Sequence, residues 1–241
     1  MENSKRKWSK KNPGFSSFCP LLFFLDLSGK MFTFPQQTNS AHVKMSLANQ
    51  CYQAVTVCHR SVTDLKRDHA LFSVSTPSHD NSFLVFWNNG VQEMQTYVKT
   101  AVVGYGGWDY KSNKWHSICT TWDSVTGLGQ MWFDGVPSIR KFIRSGESIT
   151  GQAIVILGQE QDKHGGGFDI NQSFSFVGMM SDVHMWDYIL SPCEIQNYME
   201  NLHFTPGNVL NWNALDFDIS GHVLIENKTV VCQLQNIRVG A

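Results

Sequence analysis

The densest collection of candidate ligand atoms in the chain is Gln159-Glu160-Gln161-Asp162-Lys163-His164-Gly165-Gly166-Gly167-Phe168-Asp169-Ile170-Asn171-Gln172. Glu160 and Asp162 stand two residues apart, so in extended chain both side chains project to one face. The three glycines that follow let the backbone turn sharply and return Asp169 and Gln172 toward the same spot. Such a loop offers carboxylates, amide oxygens and backbone carbonyls together. Calcium takes about six to eight oxygens in adaptable geometry, and this mixture suits it. Carboxylates crowded without a counter-ion repel one another, which favours a bound cation. An ordinary solvated acidic loop is the alternative, and local composition does not choose between the two.

Other chemistries fare less well. His164 stands alone among oxygen ligands and reads as a solvent-facing loop residue rather than a transition-metal ligand. Glu160-x-Asp162 resembles the start of a retaining glycosidase motif, but that motif needs a second Glu close behind on the same strand, and Lys163, His164 and glycines stand there instead. Retention needs two carboxyl groups about 5–5.5 Å apart with separated pKa values. No Ser-His-Asp arrangement or phosphate-cradling loop is evident. The chain carries 19 basic and 20 acidic residues, and five of the basic ones (Lys5, Arg6, Lys7, Lys10 and Lys11) fall in its first eleven positions. The rest is mildly acidic and has no basic stripe, which argues against nucleic acid as a partner.

The elements that must position this loop read as short strands. Alternation or apolar runs place them at residues 31–34, 43–47, 54–58, 71–75, 83–87, 117–122, 129–133, 153–157, 174–180 and 182–186. Asp134-Gly135 is a hairpin turn signal. One helix is predicted: Ser191 at the N-cap, Pro192 at N1, Glu194 at N3, then Ile195, Tyr198 and Met199 at helical spacing to about residue 201. Many short strands with one short helix predict an all-β fold, a two-sheet antiparallel sandwich of lectin-like jelly-roll type.

Residues 1–24 form an atypical segment. Basic residues precede the apolar run FSSFCPLLFFL at 15–25, which resembles the core of an export signal. That run is too short to span a membrane, and no small-residue cleavage site follows. The six cysteines are Cys19, Cys51, Cys58, Cys119, Cys193 and Cys232. No CxxC pair points to a zinc ribbon, and about fifteen full pairings are open. Asn227-Lys228-Thr229 is a glycosylation sequon, as is Asn171-Gln172-Ser173, and both point weakly to the secretory route.

The segment His116-Ser117-Ile118-Cys119-Thr120-Thr121-Trp122-Asp123-Ser124 is by alternation a core strand. Its Cys119-x-Thr121-Trp122-x-Ser124 also resembles the pentraxin signature, with His116 displaced by one position. Asp26-Leu27-Ser28-Gly29-Lys30, Phe32-Thr33-Phe34-Pro35, Leu157-Gly158-Gln159-Glu160-Gln161-Asp162, Met185-Trp186-Asp187, Leu190-Ser191-Pro192 and Asn208-Val209-Leu210-Asn211-Trp212 look like short-pentraxin landmarks in family order. The resemblance implies a pentraxin domain at 25–224 followed by an extension at 225–241. It implies a secreted, non-enzymatic, calcium-dependent pattern-recognition protein of innate immunity, usually a homopentamer, with two calcium ions per subunit. The implied ligands are Asp80, Asn81, Glu160, the Gln161 carbonyl, Asp162, Asp169 and Gln172, with Glu160 and Asp162 bridging the ions. The implied disulfide is Cys58–Cys119, and Cys51, Cys193 and Cys232 have no counterpart. Calcium would hold a phosphorylated ligand such as phosphocholine, or a glycan, with Phe86 and Thr96 against a choline group. The acidic position of that pocket, counted without gaps, falls on Ala101. Asp134 matches a position implicated in binding a complement component, while the corresponding helix tyrosine, Tyr198, has drifted by one. A jelly-roll glycoside hydrolase and a calcium-independent adhesion module are the rival expectations.

Overall fold

The computed structural model of the chain describes residues 25–169, 171 and 173–228. The segment 1–24, Cys19, Gln172, Thr229 and Cys232 lie outside the described residues. In chain order the strands are β1 (Lys30–Phe34), β2 (His42–Tyr52), β3 (Ala54–Val62), β4 (His69–Thr76), β5 (His79–Asn88), β6 (Glu93–Val98), β7 (Ala101–Gly106), β8 (His116–Asp123), β9 (Leu128–Phe133), β10 (Val136–Pro137), β11 (Lys141–Phe142), β12 (Ile149–Leu157) and β13 (Gly178–Trp186). Helix α1 (Pro192–Met199), a 3-10 turn (Trp212–Ala214), β14 (Asp218–Ser220) and β15 (Leu224–Asn227) complete the set.

Two antiparallel sheets face each other. One runs β10-β9-β8-β3-β13-β1-β15, with β11 also on β9; the other runs β14-β2-β12-β4-β5-β6-β7. The core between them draws Val55, Val57, Ile118 and Met185 from the first sheet and Val74, Phe83, Val85 and Val155 from the second. Strand alternation sets which side chains meet there. In β6, Met94, Thr96 and Val98 are buried while Glu93, Gln95 and Tyr97 are half-buried on the outer side. Strand β4 is buried at every position. It lies inside its sheet, and its outer side is covered by the chain that follows β12.

The outer face of the first sheet is covered differently. The Ser191 side chain accepts from Glu194 N–H, capping α1, and Pro192 occupies the first turn. Ile195, Tyr198 and Met199 then pack onto Trp132, Trp186 and the disulfide Cys58–Cys119. This bond joins residues directly opposite in the β3–β8 register. Cys51 and Cys193 are free and exposed.

Several boundaries differ from the sequence expectation. Residues 174–177 are not a strand; pairing starts at Gly178, where a side chain would sit 2.2 Å from the Val62 carbonyl. From there one strand continues to Trp186, with a register shift between Ser181 and His184 in place of the expected break. Strands β6, β7, β10, β11, β14 and β15 were not foreseen. β15 pairs with β1 and runs across the expected boundary between 224 and 225, so the sheet continues to Asn227. Among the described residues no helix is long and apolar enough to cross a membrane.

Candidate functional site

At the end of β12 the chain leaves the sheet through Gly158, whose φ is +93° and where any side chain would collide with the Phe34 ring. The next residues alternate. Gln159 turns inward and donates to the carbonyls of Thr38 (2.7 Å) and Ala41 (3.1 Å). Gln161, fully buried, donates to the carbonyls of Ser73 (3.0 Å) and Ile154 (3.2 Å). Its amide oxygen accepts from the Ser75 hydroxyl (2.7 Å) and Gly165 N–H (3.0 Å). These two anchors leave Glu160 and Asp162 pointing the other way.

Of the expected ligands, Asn81 is bonded to Glu160, and Asp80, Asp162 and Asp169 lie close enough to act on its charge. Asn81, at the start of β5, donates through Nδ2 to Glu160 Oε1 at 3.0 Å, and its own N–H donates to Asp80 Oδ1 at 2.8 Å. The fields of Asp80, Asp162 and Asp169 all reach Glu160. Burial first, then these three charges, push its carboxyl from an ordinary 4.5 to about 7, against the opposing bond from Asn81. Burial, then Asp169 and Asp80, push Asp162 upward as well. Asp169 moves the other way, because it accepts from Asn171 N–H (2.9 Å) and Ser173 N–H (3.1 Å). Gln172 lies outside the described residues. His164 is exposed, with Nδ1 3.1 Å from the Ser75 hydroxyl.

Does this set fit calcium? The Asn81 amide oxygen is buried and has no hydrogen-bond partner among the described residues. Buried polar atoms are nearly always paired, so an oxygen left over beside mutually repelling carboxylates suits a cation. The Gln161 side chain is wholly engaged, so that residue has only its main-chain carbonyl to offer. Among the described residues no three His, Cys, Asp or Glu side chains form a ready ligand group. The mixed oxygen set of Asp80, Asn81, Glu160, Gln161 carbonyl, Asp162 and Asp169 suits a hard cation.

The expected ligand pocket is built from other residues. Phe86 lies on the outer face of β5 with Leu84 and Ala70. Thr96 does not join it: Thr96 pairs with Val85 and is fully buried on the core side. The outward residue is Tyr97, opposite Leu84, whose ring lies 6.4 Å from that of Phe86. The charges of Glu160 and Asp68 reach its phenol, which burial and then both acids push upward. Its hydroxyl donates to Gln95 Oε1 at 3.0 Å. Ala101 also faces the core, and Val102, opposite Tyr97, is the exposed residue. The gap-free count thus slipped by one in β6 and β7. The inward pattern Met94, Thr96, Val98 would have placed Tyr97 outward. Phe174, which packs on Phe86 at 5.4 Å, carried no signal at all.

In the other sheet, His116 at the start of β8 is buried against the core rings Phe133 and Tyr110, its Nδ1 2.9 Å from Asp134 Oδ2. Asp134 also accepts from Ser117 N–H (2.8 Å) and the Lys114 ammonium (3.0 Å). Burial works against its ionisation, but the His116, Ser117 and Lys114 bonds prevail and bring it from 3.8 to about 2. Tyr198 is buried under α1, donating to the Asp182 carbonyl at 2.8 Å.

A jelly-roll sandwich with an oxygen-rich loop cluster on one broad face and a helix on the other has the lectin-like fold expected from the sequence. The chain belongs to the pentaxin (pentraxin) family, whose model matches residues 30–227. It is 38% identical to the serum amyloid P-component of Sus scrofa over 202 residues, 83% of this chain and 88% of that protein. It is 40% identical to the C-reactive protein of Sus scrofa over 209 residues, again 83% of this chain and 88% of that protein. The fold also matches the crystal structure of a native heptameric SAP-like pentraxin from Limulus polyphemus. That match has a TM-score of 0.75 at 24% identity and covers 84% of this chain and 97% of that one.

Proposed function

We infer that this chain is a secreted, calcium-dependent pattern-recognition protein of innate immunity that binds and does not catalyse. Two calcium ions at the Glu160–Asp162 cluster would hold the anionic group of a phosphorylated ligand or a glycan, and the outer face of β5 and β6 would read the remainder. The observation that carries this is the buried Asn81 amide oxygen, without a partner among the described residues, beside Glu160 and Asp162, whose proton affinities are raised by burial and by the neighbouring carboxylates. A homo-oligomeric ring is supported by unlike apolar patches at opposite edges of the first sheet. Val136, Ile139 and Phe142 are exposed beside Arg140 at one edge, and Leu224 and Ile225 of β15 at the other, with Ile219 and Asp218 exposed on β14, an edge strand of the second sheet. Such surfaces join head to tail, and rings result when the rotation closes.

Calorimetric titration with calcium, then with phosphorylated probes in its presence, tests this. Calcium uptake that disappears in Asp162→Ala is the expected result; equal uptake by both chains rejects the site. Glu160, half-neutral near pH 7, is also the kind of carboxyl a general acid requires, which keeps the hydrolase alternative in play. Hydrolysis of β-glucans that is lost in Glu160→Gln would establish that alternative, and no turnover across a glycan panel would remove it.

A further inference from the structure

Strand β2 is paired along most of its length on one side and only in part on the other. β12 pairs with it over residues 43–52, whereas β14 pairs with His42, Val43 and Lys44 alone. Beyond Lys44 no strand among the described residues joins that side. An edge of this kind leaves main-chain N–H and C=O groups open to a further strand. Natural edges are commonly blunted by lysine, proline or other charges, yet residues 45–52 (MSLANQCY) carry none of these. A cleft of about 430 Å³ runs along this stretch, lined by Met45, Ser46, Leu47, Ala48, Gln50 and Tyr52. Core-facing and outward-facing residues both occur in that set, so the cleft follows the edge of the strand rather than one of its faces. Its far wall is residues 208–211 and 215–216, and there Val209 and Leu210 turn their N–H groups to the Met185 carbonyl instead of to β2.

We propose that this open edge of β2 is a docking site for an extended peptide of alternating apolar and basic residues from a partner protein, which adds to the second sheet as a strand. The site is separate from the calcium-dependent function inferred above and does not depend on it. Strand addition takes its affinity from main-chain hydrogen bonds and its selectivity from what alternate side chains meet. One row of those side chains would lie against Met45, Leu47, Leu210 and Leu215, all buried. The rim sets the charge. Asp216, two residues before the Asp218–Lys44 pair, is exposed at the Met45 end. The charge of Asp187 reaches the Tyr52 end, and no lysine, arginine or histidine lines the cleft. A basic residue is therefore favoured there and an acidic one repelled. Tyr52 offers a further contact. It is 1% exposed, and its hydroxyl has no partner in hydrogen-bond geometry among the described residues, although Gln50 stands near enough to act on it.

The test is titration of a fluorescein-labelled Val-Lys-Val-Lys-Val-Lys peptide with the full chain, followed by anisotropy, with hydrogen exchange read by mass spectrometry to locate the peptide. Saturable binding is expected, with slower exchange across residues 45–52. Asp216→Lys, a change at an exposed position, should weaken binding about fivefold, the scale of one exposed ion pair. A Val-Glu peptide of the same length should not bind. The basic peptide N-methylated at alternate residues keeps its charge but cannot pair as a strand, and it should not bind either. No saturable binding, equal binding of the N-methylated peptide, or slowed exchange at residues 159–169 in place of 45–52 overturns the proposal. Two other occupants would overturn it as well. Binding that appears only after residues 229–241 are removed assigns the edge to the chain's own end. Protection of 45–52 that rises with protein concentration, without peptide, assigns it to a second copy.

Discussion

The two broad faces of this sandwich treat their charges in opposite ways. On the helix face Asp134 is met by His116, Ser117 and Lys114, and Asp182 by Arg60 and Lys228. On the loop face Asp80, Glu160, Asp162 and Asp169 are left in one another's field, and the Asn81 amide oxygen has no partner among the described residues. The first face is electrostatically complete with its own residues. The second lacks such partners among the described residues, and a bound cation, as inferred above, would supply the missing charge.

The largest expected effect lies on the complete face. Cys58→Ala removes the bond beneath α1 and should cost about 2–5 kcal/mol, read as the midpoint of urea unfolding; a loss under about 1 kcal/mol would show that packing of the helix suffices without it. On the incomplete face, calcium at about a hundred times its dissociation constant should stabilise the chain by about 2.7 kcal/mol. Thermal unfolding with and without chelator measures this, and Asp162→Ala should erase the difference. Asp134→Asn strands the His116 bond and should cost about 1–3 kcal/mol whether calcium is present or not. Dependence on calcium there would break the contrast between the faces.

The smallest effect is also the sharpest, because its sign reverses across the molecule. Glu160 has a folded pKa of about 7 against an ordinary 4.5. Its contribution is therefore fully present below pH 4.5 and is lost as pH rises through about 7 in the calcium-free chain. Asp134, depressed from 3.8 to about 2, contributes above 3.8 and loses that contribution as pH falls toward 2. His69 and His184, buried and lowered from 6.5 to about 4, likewise contribute above 6.5 and lose it on acidification. Glu160→Gln should thus stabilise the calcium-free chain by about 1 kcal/mol at pH 8 and by nothing near pH 4.5. Urea titrations at the two pH values decide it, and a loss of stability at pH 8 would mean that the carboxylates are not in conflict.

How much of this was legible in the residues follows from which signals were local. The cap Ser191-Pro192 and the inward face of α1 were readable because they depend on spacing within a few residues. The alternation of 159–162 was readable for the same reason, and it placed Glu160 and Asp162 together. Asp80 and Asn81 became visible only through family resemblance, since nothing local links β5 to the loop after β12. The pocket failed for a specific reason. Thr96 is a polar residue turned into the core, its hydroxyl without a partner among the described residues, so it masked the binary pattern of β6. With β6 unrecognised, no register could reveal that Tyr97 rather than Thr96 stands beside Phe86. The bulge in β13 hid in the same way, as a break in alternation where Asp182 takes a φ of +53°.

The inward-facing Gln161 has one more consequence. Its hydrogen bonds to Ser73, Ser75, Ile154 and Gly165 are made when the chain folds, before any ion arrives. The rotational freedom of the segment that carries Glu160 and Asp162 is therefore surrendered during folding and need not be surrendered again on binding. An ion entering such a frame meets a small ordering penalty, so its capture should be fast and its entropy favourable, dominated by the water it releases. Replacing Gln161 by Ala would leave every carboxylate in the chain and still weaken the ion, because the disorder formerly removed by folding would fall to the binding step.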